Sequence, residues 1–285
     1  MVSLAKNIGA ALNGGVMSME KLRNEIVATL PAIDSDRIDP ALFQTTGIAI
    51  VRGGVPKDQM EYWTNLWDRY RENSIGSERK LENASNPVEV RHLPPELLNI
   101  SHSPYLINHI KPVFGENIGL FHKRFVVKDA NAKGAVILHQ DSGYHVGLLE
   151  KASLFLALKP VSEANGGMYL YPGTHRFGYL GDAGAINARV LPADWPVITP
   201  SLEPGDFMLM NSLTWHGSGP FHSGDERVMT DFIYQPSTDP STAEVVSGGQ
   251  GWEGSFLTQA REKIFLQSRS SKLHAIRGIL DSTTN

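Results

Sequence analysis

The chain has 285 residues, 41% hydrophobic and 20% charged, with a formal net charge of −4 and no cysteine. That apolar share suits a globular protein with a substantial core. The missing cysteines exclude a disulfide framework, a thiolate zinc site, an iron–sulfur cluster and a cysteine nucleophile, and no Lys/Arg run offers a surface for nucleic acid or an anionic membrane.

The N-terminal MVSLAKNIGAALNGGVMSMEK lacks the apolar stretch of a secretory signal. No window approaches the roughly 18 apolar residues of a membrane span, so a cytoplasmic setting is expected. In the helical N-terminal region, MEKLRNEIVATL sets Leu22, Ile26 and Leu30 on one face. GIAIVRGGVP (47–56) is a short strand stopped by Gly-Gly and Pro. KDQMEYWTNLWDRYREN then spaces Met60, Trp63, Leu66, Trp67 and Tyr70 helically, a stripe that packs on a core rather than stacking on a ligand.

From about 118 to 236 short apolar runs alternate with Gly, Pro and Asn turns: RFVVKD, AVILHQD, ASLFLALKPV, GGMYLYPGTH, DFMLMNSLTWHGS and RVMTDFIYQ. Such spacing predicts a sandwich or closed barrel, not βαβ units. GYLGDAGAINARVLPADWPVITP is poor in periodicity and is expected to be a surface excursion able to cover a site. After SGGQGWEG, TQAREKIFLQSRSSKLHAIRGIL is expected to be helical. Residues 1–285 thus read as a single domain, mainly β with flanking helices, its β core at about 118–236 and a helix at the C-terminus.

The chemistry gathers where an apolar strand runs into ILHQDSGYH. Read as extended, 138–145 puts His139, Asp141, Gly143 and His145 on one face. The pair His139/Asp141 could hold a metal, act as an acid–base pair, or be a hydrogen-bonded strand end. With no cysteine, a metal needs a third ligand from His or carboxylate. His216, ending the strand of NSLTWHGSGP, is the candidate; His222, in the polar turn FHSGDE, is its competitor. His175 lies in a Gly/Pro turn, where a turn-stabilising hydrogen bond is its simplest role. Two histidines and one carboxylate make a facial triad that leaves coordination positions open. Arg227, eleven residues past His216, is either an exposed charge or a planar clamp for a carboxylate beside that metal.

HQD, NGGMYLYPGTHRFG, PGDFMLMNSLTWHGSG and Arg227, in this order over roughly 118–236, resemble the motifs of the phytanoyl-CoA dioxygenase (PhyH)-like family of Fe(II)/2-oxoglutarate-dependent oxygenases. GIAIVRGGVPKDQM resembles the family's entry strand and helix. The resemblance implies a double-stranded β-helix (jelly roll, cupin-like) core, with Fe(II), 2-oxoglutarate and O2 as cofactor and co-substrates. It implies His139, Asp141 and His216 as iron ligands and Arg227 with Ser218 on the distal carboxylate of 2-oxoglutarate. Phe155, Arg124 and Lys128 fall near further co-substrate contacts. Tyr144, His145 and Trp215 are candidates to read the substrate, a small molecule; a homo-oligomer stays open.

The expected reaction is hydroxylation of an unactivated C–H with release of succinate and CO2. The same ligands serve desaturation, epimerisation or ring formation in natural-product biosynthesis. A non-catalytic metal-binding cupin-like module and a cupin-like isomerase or hydrolase are readings of other classes, but neither has a use for Arg227 at that offset. Asp141 argues against halogenation, since halogenases of this superfamily have Gly or Ala there.

Overall fold

A computed structural model describes residues 18–74, 86–88, 93–145, 147–180 and 185–249. The expected C-terminal helix and the first seventeen residues lie outside the described residues. Helix α1 (Met19–Thr29) starts at Ser18, whose hydroxyl accepts from Lys21 N–H, and buries Leu22 and Ile26. Helix α2 (Pro40–Thr46) is capped by Asp39 and closed by Gly47 in the left-handed region (φ 74°). A Cβ there would meet His175 and Thr214 within 2.6 Å, so space and conformation both demand glycine.

Strands β1 (Asp34–Ser35), β2 (Ile48–Val51), β3 (Asn86–Val88), β4 (Ile118–Lys128), β6 (Ala152–Leu156), β8 (Phe207–Asn211), β10 (Arg227–Pro236) and β11 (Glu244–Ser247) form one sheet in the order β1-β2-β8-β6-β10-β4-β11, with β3 also on β4. Strands β5 (Val136–His139), β7 (Met168–Tyr171) and β9 (Trp215–Ser218) form the second, in the order β5-β9-β7. This is the jelly-roll core, and the large sheet draws β1, β2, β3 and β11 from outside 118–236.

Side-chain alternation divides the large sheet into two apolar layers. Its outer face, with Val51, Leu154, Leu156, Phe207, Leu209, Phe125 and Phe232, packs against helix α3 (Lys57–Ser74) and helix α5 (Pro104–Phe114), the single-turn helix α4 (Pro95–Leu98) lying beside them. The α3 stripe is as the spacing predicts: Met60, Trp63 and Trp67 are buried, and Trp67 stacks on Phe125 at 5.5 Å and 4°. The inner face, with Ile48, Ile50, Phe155, Met208, Met210 and Met229, meets Met168 and Leu170 of the small sheet.

The outer face of the small sheet is closed by α1 and the 178–200 excursion, whose Leu191 and Trp195 join Leu22, Ile26, Leu138, Phe177 and Trp215. The buried part of that excursion therefore backs the small sheet rather than roofing a site. No helix among the described residues is long and apolar enough to cross a membrane.

Candidate metal centre and its cavity

His139 ends β5 directly opposite His216 on β9, with a register shift between Val136 and His139. The rings face each other with centroids 4.3 Å apart. Asp141 opens a 3-10 turn (Asp141–Tyr144), and its Oδ1 lies 3.4 Å from His139 Nε2 and 3.6 Å from His216 Nε2. Ligands about 2.1 Å from one ion and at right angles stand about 3 Å apart, so small side-chain adjustments close this set on a metal. One ligand atom from each residue lies within 4.8 Å of the others.

Each histidine is oriented by a backbone carbonyl two residues earlier. His139 Nδ1 donates to Ile137 O (2.7 Å) and His216 Nδ1 to Thr214 O (2.9 Å). A carbonyl only accepts, so the proton sits on Nδ1 and the Nε2 lone pair is left for the metal. Burial pushes the His216 ring down to about 4, keeping it neutral. Burial alone would raise the Asp141 carboxyl, but positive charge placed between it and the facing His216 and His139 nitrogens, as a metal would place it, outweighs that and holds the group well below the usual carboxylate range. Ser153 Oγ also donates to Asp141 Oδ2 (3.3 Å). The residues present fit Fe(II): two imidazoles and one carboxylate converge in the wall of a cavity.

Gln140 points the opposite way, as alternation requires, and has a function the sequence did not reveal. Its Nε2 donates to Gly178 O (2.9 Å) and Leu213 O (2.7 Å), while its Oε1 accepts from Leu180 N–H (3.1 Å). Beyond Asp141 the extended expectation fails. Ser142 N–H and Oγ both reach Ser212 O (3.0 and 2.8 Å), bending the chain into the turn. His145 still lines the cavity, its ring 5.1 Å from Phe121, its Nδ1 buried without a partner and its charge suppressed by burial to about 3.

Arg227 is 2% exposed and lines the same cavity. Its Nη1 donates to Gly166 O (2.6 Å), its Nε finds no partner, and burial lowers the guanidinium to about 9. Lys128 stands opposite it in the β4–β10 register, fully buried, with Nζ donating to Ser218 Oγ (2.8 Å) and to Gly219 O. Ser218, two residues past His216, shares its face and lines the cavity with Phe155. At the other end Arg124 and Asp231, also register partners, form an ion pair in the wall (Nε–Oδ2 2.6 Å).

Tyr144 is in the wall too, its ring 6.1 Å from that of His139. Trp215 is not: next to inward-facing His216, it points outward into the α1 cluster. His222 is exposed in its turn, and His175 Nε2 donates to Gln44 O (2.9 Å). Neither is brought to the triad.

Several solved structures share the fold. The epimerase SnoN, in complex with Fe3+, α-ketoglutarate and nogalamycin RO, matches at 17% identity over 78% of this chain and 84% of that one, with a TM-score of 0.59. The non-haem monooxygenase ThoJ matches at 19% over 84% and 98%, with a TM-score of 0.60. HygX from Streptomyces hygroscopicus, with nickel and 2-oxoglutarate bound, matches at 14% over 69% and 85%, with a TM-score of 0.54. Comparison with curated proteins gives no significant match. The family model of phytanoyl-CoA dioxygenase matches residues 43–229, a span that holds the complete His-Asp-His set. The chain belongs to the phytanoyl-CoA dioxygenase (PhyH) family, and it is a non-haem iron dioxygenase that uses Fe(II), 2-oxoglutarate and O2.

Proposed function

We propose that the enzyme hydroxylates a C–H bond of a small molecule, with His139, Asp141 and His216 holding Fe(II) and the Arg227 end of the cavity holding the distal carboxylate of 2-oxoglutarate. The observation that carries this reading is a buried cationic end with no carboxylate against it among the described residues, in the same cavity as the triad. Arg227 presents an unpartnered donor there, and Ser218 adds a hydroxyl beside it. A planar guanidinium can bind a carboxylate through two parallel hydrogen bonds.

When bound, iron with 2-oxoglutarate and O2 supplies the oxidation, releasing CO2 and succinate. The chain's own share is placement. The imidazoles and Asp141 would hold the metal, Phe155 and Met229 give the same cavity an apolar wall, and Arg124–Asp231, Tyr144 and His145 line it where a substrate would be received. Carboxylate and imidazole are non-reducing, oxidation-resistant ligands suited to this chemistry.

The test is succinate formation from 2-oxoglutarate by anaerobically reconstituted enzyme exposed to O2, with and without a panel of small molecules. Gain of one oxygen atom by a substrate supports hydroxylation; loss of a hydrogen pair, or an isobaric product, assigns the reaction to desaturation or epimerisation instead. His139→Ala and Asp141→Ala are expected to abolish substrate-free 2-oxoglutarate consumption while leaving the circular dichroism spectrum unchanged. Turnover that survives both substitutions would remove these residues from the metal site.

A further inference from the structure

Behind the co-substrate end of the cavity a second basic side chain, Lys128, stands beside Arg227 and Ser218. Arg227 and Lys128 face each other across β10 and β4, both essentially out of solvent. The acids next to them in sequence are turned away. Asp129 binds Arg71 (3.0 Å), and Glu226 binds Lys159 (2.9 Å), Arg71 (3.3 Å) and Trp67 Nε1 (3.2 Å). Among the described residues Lys128 Nζ donates to Ser218, the last residue of β9, and to Gly219 just beyond it, and the side chain lies against the backbone of Gly166 in the 163–167 turn. Arg227 is the one charged group among the described residues that acts on it; burial first, and then that guanidinium, lower the amine to about 7.

The contact with Ser218 gives this arrangement a direction. An ammonium has only donors, so a charged Lys128 makes Ser218 Oγ accept and frees the hydroxyl hydrogen for a third group. A neutral amine can instead accept that hydrogen, leaving Ser218 nothing to offer the cavity. We propose that entry of the distal carboxylate of 2-oxoglutarate draws a proton onto Lys128, whose ammonium then donates to Ser218 and turns the Ser218 hydroxyl toward the carboxylate. Lys128 is thus a positioning residue, and co-substrate binding is coupled to proton uptake. This rests on the reading of Arg227 and Ser218 as the distal-carboxylate site.

The coupling has a definite sign. Because the complex holds one more proton than its parts, affinity falls as pH rises above the value of the free amine. Uptake is expected to be roughly half a proton at about pH 7 and roughly 0.9 at about pH 8, with the Kd for 2-oxoglutarate weakening by up to about tenfold per pH unit from there until the bound amine itself titrates. The measurement is anaerobic titration calorimetry of 2-oxoglutarate into Fe(II)-loaded enzyme in two buffers of different ionisation enthalpy, from about pH 7 to 9.

Wild type should show buffer-dependent heat. Lys128→Met, a near match in length and volume, should bind more weakly, with a Kd flat in pH and no proton uptake. Lys128→Arg, permanently charged, should bind without uptake where it folds. Binding by wild type with no buffer dependence, or undiminished uptake in Lys128→Met, would overturn the proposal. Arg227→Met separates it from the underlying reading: an unchanged Kd in that variant would move the carboxylate elsewhere, whatever the protons do.

Discussion

Replacing Arg227 by Met should make the ligand-free protein more stable and the enzyme nearly blind to its co-substrate. A guanidinium shifted by burial from 12.5 to about 9 carries on the order of 4–5 kcal/mol of unfavourable solvation at neutral pH. Methionine removes that charge and the repulsion with Lys128. It also removes the bond to Gly166 O, a loss of about 1–2 kcal/mol. The net expectation is a gain of about 2–3 kcal/mol, or about 3–5 °C in Tm for a chain of this size. For a base whose folded value is depressed, the penalty is fully present below about pH 9 and fades above it. The advantage of the variant should therefore shrink as pH rises past that value. Against this, loss of a buried charged contact to a carboxylate should weaken 2-oxoglutarate binding by at least about thirtyfold.

The assay is thermal unfolding of the apo and Fe(II)-loaded forms with and without saturating 2-oxoglutarate. Wild type should melt lower without ligand and rise on adding it; Arg227→Met should start higher and hardly move. A variant less stable than wild type when ligand-free would refute the reasoning, because it would mean that Arg227 is already compensated within the fold.

Gln140→Leu should cost about 2–4 kcal/mol, since two carbonyls and one N–H lose their partner at once. The checks are denaturant midpoint and weakened metal retention, because the residue sits between two of the proposed ligands, His139 and Asp141. Arg124→Met should destabilise by about 3 kcal/mol by stripping Asp231 of its guanidinium. Arg124→Met with Asp231→Leu should recover most of that loss in a double-mutant cycle of unfolding free energies. Recovery of stability without recovery of substrate turnover would assign the pair to the substrate side of the cavity.

Most of the frame could be read from periodicity. The α3 stripe and the all-β texture have spacings that hold wherever they are packed, and the period of two already put His139 and Asp141 together with Gln140 reversed. The same alternation, applied at β9, turns Trp215 outward once His216 points in, so that candidate was correctable from sequence. Other features had no local signal. The turn at Asp141–Tyr144 is bent by Ser212 O, seventy residues on. Gln140 is held by groups at 178, 180 and 213. Lys128 and Arg227 meet only through the β4–β10 register. Each depends on which strands become neighbours, and short apolar runs do not encode that.

The carbonyls that set the two histidine tautomers belong to residues 137 and 214, and neither side chain takes part. Substitution at either position leaves the hydrogen bond that holds the ring. Ile137 also lies in the cavity wall and is 38% exposed. A partly exposed residue of the cavity wall, two positions from the proposed ligand His139, is therefore free to be exchanged for size or polarity at little risk to iron binding. Variation in what the enzyme accepts and constancy in how it holds its metal can reside in the same amino acid, divided between its side chain and its backbone.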